Sequence, residues 1–440
     1  DGIPLVRKAA GHSKPRLTGA GDAMVRETQQ VLEEQCMHQG VVRRGDQIPM
    51  ELVHTHQSVH GIIVLDLSTG LLVPLQSKAI IIADGGFEGA WNNSPVGLGI
   101  DIAMRAGLAL RDLEFVAWSP LSVEGTNITL PLGLLADGAT LHQSNGSPID
   151  VDIYNDTTKL ATAISSHSNA VLDLRNLGES SKWWNQTSEL ITTRLGIDIT
   201  RQTIPIQPRI NTTLGGITTD EHGRAISGKW SRWFTGLYAA GDAASSGLHG
   251  AGMVAGNRLL DALAGGDAAG KHAAEYCSKT AHSGRGAIEL SSGACEADLD
   301  MDLAPAEGAV QRAGALYARL NEIMNHSMGA SRNEKDLESA IDSLTELLLS
   351  ADDVHIDDHS RLFNTNLLDV MRLKASIRLS LAATRSALAR TESRGTHQRA
   401  DFEESDDEQL HHTLIDADGN ISQLALRKGP SGTWVLSPGA

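Results

Sequence analysis

Cysteine is scarce. Three residues, Cys36, Cys277 and Cys295, lie far apart in a chain of 440. They fit neither a disulfide framework nor the ligand spacing of a zinc or iron–sulfur site, so no metal site is expected, and a reducing compartment is. Aromatics are also few, at 4%. The cores must therefore come from Ala, Leu, Ile and Val, with close backbone contacts among 44 glycines. No apolar run reaches the roughly 18 residues of a spanning helix, which argues against direct membrane insertion. Lys and Arg number 37 against 54 Asp and Glu, and the net charge of -17 excludes a protein built to grip nucleic-acid phosphates. No repeat stands out at periods of 20 to 50 residues. The chain opens at Asp1 without Met or a targeting segment, and reads like the middle of a longer protein.

What is present suits an α/β protein of two or three domains, since 41% of residues are hydrophobic and glycine-marked turns are frequent. Apolar spacing predicts helices over residues 21–39, 100–107, 188–195, 253–276, 334–349 and 366–393. A hairpin is expected over 61–75 around Ser68-Thr69-Gly70, and another over 412–426 around Asp418-Gly419. Residues 79–83 (AIIIA) read as a buried strand running into Asp84-Gly85-Gly86, and 236–240 (GLYAA) as a strand ending at Gly241-Asp242. Residues 110–118 read as one further strand, 170–174 as another, and the small-residue stretch 278–303 as a linker.

The segment 237–263 has the shape of a dinucleotide site: a strand, a glycine-rich turn, then a helix start whose N–H groups and dipole face an anion or a flavin carbonyl. Asp242 is placed to accept hydrogen bonds from ribitol or ribose hydroxyls, although Asp beside Gly is also an ordinary turn residue. His54, His56 and His60 are read as exposed histidines rather than metal ligands. Trp183-Trp184 is read as buried packing. His411-His412 is expected to cover a hairpin edge, and the acidic run 401–408 to be a solvated surface. Arg394, His397 and Arg399 follow a long helix, where cations complement the C-terminal dipole and tie down the chain.

In order along the chain stand ADGG (residues 83–86), GIDIAMRAGLALRDLEF (99–115), GLYAAGDAA…HGAG…GNRLLD (236–261), FNTNLLDVMRLKASIRLSLA (363–382) and ESRGTHQRAD (392–401). Together these resemble the flavoprotein subunits of succinate dehydrogenase and fumarate reductase, with L-aspartate oxidase as a relative. The resemblance implies a Rossmann-like FAD-binding domain, incomplete because the first βαβ unit with its glycine fingerprint is not seen. It also implies an inserted α+β capping domain and a C-terminal helical domain ending in a β-hairpin. The boundaries expected are 1–118 and 209–277 for the FAD domain, 119–208 for the cap, 278–303 for a linker and 304–440 for the helical part. The cofactor implied is FAD, held by Gly85, Gly86, Gly241, Asp242, His249, Gly250, Asn257, Arg258 and Leu259. The partners implied are an iron–sulfur subunit and, through it, membrane anchors, which would place the chain peripherally on the cytoplasmic or matrix side of a membrane.

The resemblance breaks at the substrate positions. The family's HPTG appears as Ser119-Pro120-Leu121-Ser122, and its TEG.RGEGG as residues 131–138, with Leu132 among them. The segment carrying the proton-donating Arg is missing between 149 and 171. The substrate His falls at Asn211 and the substrate Arg at Met253, while Leu98 and Arg258 replace two flavin-side residues. Two carboxylates in a desolvated cleft need cationic partners, and Met253 offers only apolar surface. Arg209 and Arg258 are candidate substitutes for the lost cations, or else ordinary surface cations. Three functions stay open: an FAD-linked oxidoreductase acting on a small dicarboxylate, a flavoprotein-derived assembly subunit without chemistry, and an L-aspartate oxidase-like enzyme.

Overall fold

The computed structural model describes residues 6–9, 11–19, 21–92, 95–153, 157–167, 169–227, 232–303, 311–428 and 434–438. They divide into two compact units.

One unit comprises residues 1–44, 117–211 and 252–259. Its centre is a three-stranded antiparallel sheet in which Ala170–Asp173 lies between Thr140–Gln143 and Ile204–Pro205. Leu141, Leu172 and Ile204 point inward from it and meet Leu160 and Ile164 of the Thr157–Ser165 helix and Ile191 of the Asn185–Leu195 helix. The second helix starts where Asp22 accepts both the N–H (2.7 Å) and the hydroxyl (2.9 Å) of Thr187, a carboxylate on the positive dipole end. It stops at Gly196, which has left-handed dihedrals. The helix Met24–His38 buries none of its residues.

The Trp pair belongs here and splits between two environments. Trp184 is buried and donates its indole N–H to Asp137 at 2.8 Å, as expected of packing. Trp183 is not buried: it is 41% exposed and lies beneath the Arg7 guanidinium, 5.0 Å from the ring centroid.

The other unit comprises residues 45–116, 212–251 and 260–440. Its first sheet is built on Arg232–Ala239, which runs parallel to both Ser58–Asp66 and Ile80–Ile82. Gln47–Thr55, Ser58–Asp66 and Leu71–Gln76 form an antiparallel meander, so the expected hairpin gains a strand before it. The hairpin histidines differ from expectation. His56 is exposed, but His54 and His60 are half-buried, with the His54 ring edge-on to Phe234 at 5.1 Å. Alternation along a strand, not solvent, sets their direction. Among the described residues no group of three or more His, Cys, Asp or Glu is placed to hold a metal ion.

A second sheet has the order Ala244–Ser245, Gly216–Thr218, Leu110–Arg111, His411–Ile415, Ile421–Lys428 and Trp434–Pro438. The terminal hairpin thus pairs with residues 110–111 and extends this sheet. The single strand expected over 110–118 is two, Leu110–Arg111 and Val116–Ser119, because Asp112 turns the chain with φ +60°. Residues 286–303, read as linker, form a helix, Gly286–Leu303. It buries Ile288 and Cys295 against Val53 and Ile63, and Leu299 and Leu303 against Leu65 and Leu367.

The longest helix, Thr365–Ala389, begins where the Asn364 side chain accepts the Leu367 N–H at 2.9 Å. At its end Arg399 donates to the carbonyls of Ala387, Leu388 and Arg390 at 3.1–3.4 Å, which satisfies the helix's last acceptors.

Candidate flavin site

In the second unit the strands Ile80–Ile82 and Arg232–Ala239 are neighbours in parallel, with Ile82 opposite Ala239 and the Ala240 N–H donating to Ile82 O at 3.0 Å. Residues 83–86 and 240–242 therefore leave the sheet side by side at its carboxyl edge, where open α/β sheets bind ligands. Gly241 makes the turn with φ +64°. Asp242, half-buried, is the middle residue of the 3-10 turn Gly241–Ala243.

Gly86 lies where a β-carbon would collide with Thr213 Oγ1, which accepts the Phe87 N–H at 3.2 Å. Asp84 takes the Gly99 N–H at 2.7 Å and so caps the helix Leu98–Arg105. Although Asp84 is exposed overall, its carboxyl is hemmed in, and that desolvation raises it above the usual carboxylate range against the pull of the Gly99 N–H.

The loop that follows, residues 244–251, is held from below. Buried Arg111 donates from Nη2 to Ser245 O and from Nε to Ser245 Oγ (3.2 Å). Ala251 O accepts the Thr396 N–H at 2.7 Å, and a β-carbon on Gly395 would collide with that same carbonyl. His249 directs Nε2 toward Asp261 Oδ2 at 3.4 Å, while its buried Nδ1 has no partner among the described residues. Beside it, a β-carbon on Gly250 (φ +54°) would meet no atom within 4 Å. A buried ring nitrogen without a partner among the described residues, beside a glycine whose β-carbon position is open, fits the polar edge of a bound flavin.

The remaining expected residues lie in the first unit. Asn257, Arg258 and Leu259, all half-buried, open the helix Asn257–Lys279, and Met253 precedes it in a loop. Arg258 Nη1 approaches Asn211 O at 3.5 Å, so these two residues come together. Arg209 is committed elsewhere, to Thr126 O (2.6 Å) and Asn127 Oδ1 (3.2 Å). Ser119 is buried, and Leu132 packs on the hydrophobic core of its own unit. Sequence reasoning passed over Arg111 and Asp112 in the second unit and read His412 as cover for a hairpin edge, whereas its strand is paired on both sides. The RDLEF stretch quoted above contained the signal for the first two.

These parallel strand ends and their glycine turns define a flavin-binding α/β protein. Two family models match the chain: the FAD binding domain over residues 5–259, and the C-terminal domain of fumarate reductase flavoprotein over 317–431. The fumarate reductase flavoprotein subunit of Escherichia coli is 28% identical over 95% of this chain and 75% of the relative. The succinate dehydrogenase flavoprotein subunit of Coxiella burnetii is 29% identical over 86% of this chain and 69% of the relative. A solved structure of E. coli quinol fumarate reductase superposes with a TM-score of 0.85 at 27% identity, covering 95% of this chain and 77% of that one.

The chain belongs to the family of succinate dehydrogenase and fumarate reductase flavoprotein subunits, and its cofactor is FAD. Among the described residues no helix is long and apolar enough to cross a membrane.

Proposed function

We propose that this chain is the FAD-holding subunit of a complex of the succinate dehydrogenase and fumarate reductase type, docked on an iron–sulfur partner, and that it does not turn over succinate or fumarate. Support comes from relatives named as flavoprotein subunits and from the juxtaposed turns at 83–86 and 240–242. The observation that carries the second half is the fate of the substrate-side positions. Leu132 is spent on packing, Arg209 is bound to Thr126 O, and residues 211 and 253 are Asn and Met. A C4 dicarboxylate entering such a cleft would shed water from two charges and meet too few cations, a penalty of several kcal/mol.

FAD, when bound, supplies two-electron chemistry at its isoalloxazine ring. On this reading Gly85, Gly86, Gly241, Asp242, His249 and Gly250, all in the second unit, shape and hold its site. The iron–sulfur partner, and membrane anchors beyond it, would hold the chain peripherally at a membrane. A second reading, an oxidoreductase with a different anionic substrate, draws on Arg258 beside Asn211. L-aspartate oxidase activity would need its own carboxylate-binding arginines, and the replaced cage argues against it too.

The test is spectroscopic and kinetic on the full-length protein. Flavin absorbance without dye reduction by succinate or aspartate, without fumarate reduction, and without spectral change on adding malonate is the expected result. Succinate-dependent dye reduction would overturn the proposed inactivity. A colourless protein that takes up no FAD would overturn the flavin role.

A further inference from the structure

The loop 245–251 is supported by groups that no substrate or cofactor role explains. Asp112 is buried, with a strained φ of +60°. Its Oδ2 takes a hydrogen bond from His412 Nδ1 at 2.5 Å and its Oδ1 takes the Thr413 N–H at 3.0 Å, while its own N–H donates to Thr413 O at 2.9 Å. Three bonds thus fix one carboxylate-bearing turn to one strand of the terminal hairpin. His412 keeps only 12% of its side chain exposed. With Nδ1 committed to Asp112, the rest of its ring is aimed in one direction. That direction is the loop: a β-carbon on Gly247 would lie 3.7 Å from His412 Cε1 and 3.9 Å from Nε2, and 3.7 Å from Arg111 Nη2. The imidazole and the guanidinium together form a floor under Gly247, which has φ +82°.

The neighbours make that floor rigid. Glu114 Oε1 accepts from Thr413 Oγ1 at 2.7 Å and from Arg390 Nε at 2.8 Å, both buried. The Arg390 guanidinium in turn donates to His411 O at 2.9 Å. The strand that carries His412 is therefore tied at 411 and 413 to the carboxylate and guanidinium that also anchor the end of the longest helix. Displacing His412 would require breaking charge-assisted bonds in a water-free place.

We propose that Asp112 and His412 are a positioning dyad that sets the conformation of loop 245–251, and through it the placement of His249 and Gly250. The idea rests on the flavin reading of that loop for its functional meaning, but not for its structural content. Asp112 orients the ring, and the ring and Arg111 bound the space under Gly247, where an added β-carbon would reach ordinary van der Waals contact with both. Replacing His412 by Ala opens a void there and leaves the Asp112 Oδ2 lone pairs without their donor. Replacing it by Asn retains a donor at the position of Nδ1 but removes the outer half of the ring.

Two measurements on the full-length protein test this. The first is amide hydrogen exchange of the flavin-free form. His412→Ala is expected to speed exchange across 245–250 by tenfold or more, with the helix Glu334–Ser350 unchanged, and His412→Asn is expected to recover a large part of the protection. The second is FAD affinity by fluorescence titration, expected to weaken by tenfold or more in His412→Ala and by less in His412→Asn. Unchanged loop exchange in His412→Ala, or acceleration spread equally over the whole chain, overturns the dyad. So does Asn behaving no better than Ala. If the loop loosens as expected but the unaltered protein takes up no FAD, the flavin reading fails and the dyad stands. If FAD binds equally well to all three forms while the loop loosens, the loop is not what positions the cofactor, and that functional link is refuted.

Discussion

Replacing Arg390 by Met should be among the most damaging single changes in this protein, and the structure sets its size. The Arg390 side chain is fully buried and donates to five acceptors: Glu114 Oε1, Glu392 Oε1, Gln409 O, His411 O and Thr413 Oγ1, at 2.8–3.2 Å. Its guanidinium also lies 5.0 Å from the Phe115 ring centroid. Met fills most of the volume and replaces none of the bonds. Glu392 keeps Arg394, in two contacts of 2.8 Å, but fully buried Glu114 keeps only the Thr413 hydroxyl on Oε1, and its Oε2 already lacks a partner.

Breaking a buried ion pair on one side costs about 3–5 kcal/mol. Glu114 has one escape, since burial raises its carboxyl above the usual range and it can take up a proton. Keeping it neutral at pH 7 against an ordinary value of 4.5 costs roughly 3.4 kcal/mol, about 2.5 pH units at about 1.36 kcal/mol each. The escape therefore caps the loss toward the lower end of that range. It also predicts a sign. With the folded-state value raised, the folded protein binds more protons than the unfolded one, so the variant regains stability as pH falls from 7 toward 4.5. Thermal unfolding at pH 7 and pH 5 is the assay. Arg390→Met should lower the midpoint by roughly 5–8 °C at pH 7 and by less at pH 5. Adding Glu114→Leu should restore part of the loss by removing the stranded charge. A drop of under about 1 kcal/mol at pH 7, or a variant that weakens further on acidification, would refute the reasoning.

Four other outcomes follow from single contacts. His411 is held down to about 4, first by burial and then by Arg390, so its stabilising neutral form is fully kept above an ordinary 6.5 and lost as pH falls toward 4; His411→Gln should flatten that part of the stability–pH curve. Asp401 is held near 2 by the Arg399 guanidinium and accepts the Glu334 N–H at 2.8 Å, so Asp401→Asn should cost roughly 1–2 kcal/mol at pH 7, with the difference vanishing as pH falls from 3.8 to 2 in denaturant titrations. Gly86→Val should destabilise by about 1–3 kcal/mol in urea unfolding, and Thr213→Ala should relieve part of that, because the added carbons collide with the Thr213 hydroxyl. Arg399→Ala should expose the last turn of Thr365–Ala389 to hydrogen exchange, as three helix-end carbonyls lose their donor.

Much of the candidate site was legible because its signals are local. An apolar run ending in Asp84-Gly85-Gly86 and another ending in Gly241-Asp242 announce strands that stop at tight turns, and both do. That the two strands are neighbours is a long-range fact, fixed by the pairing of 80–82 with 237–239, and no short window contains it. The helix Gly286–Leu303 escaped because its core positions, Ile288, Cys295, Leu299 and Leu303, are diluted by Ser, Gly and Ala on the other faces. The break at Asp112 escaped for a different reason: its positive φ is stabilised by His412 and Thr413, 300 residues away in the chain. Arg209 looked like a surface cation or a substitute ligand. Its actual partner, Thr126 O, is a backbone atom that residue identity does not reveal.

The residues kept and the residues changed differ in what their loss would cost the fold. Arg390, Arg399 and Gly395 sit where a substitution leaves a buried charge, a bare helix end or a steric collision. Each would be felt as instability whether or not the protein catalyses anything. A substrate-binding arginine is the opposite case. Without its ligand it is a partly desolvated cation with too few partners, and such sites lower stability for the sake of function. On the proposed reading Met at 253 would relieve that strain, while Leu132 adds apolar contact to the core of its unit. If the proposed inactivity holds, a chain freed from dicarboxylate turnover but still needed as a folded, flavin-bearing partner would drift in this direction, because its frame would be held by its own energetics and a substrate cage would not.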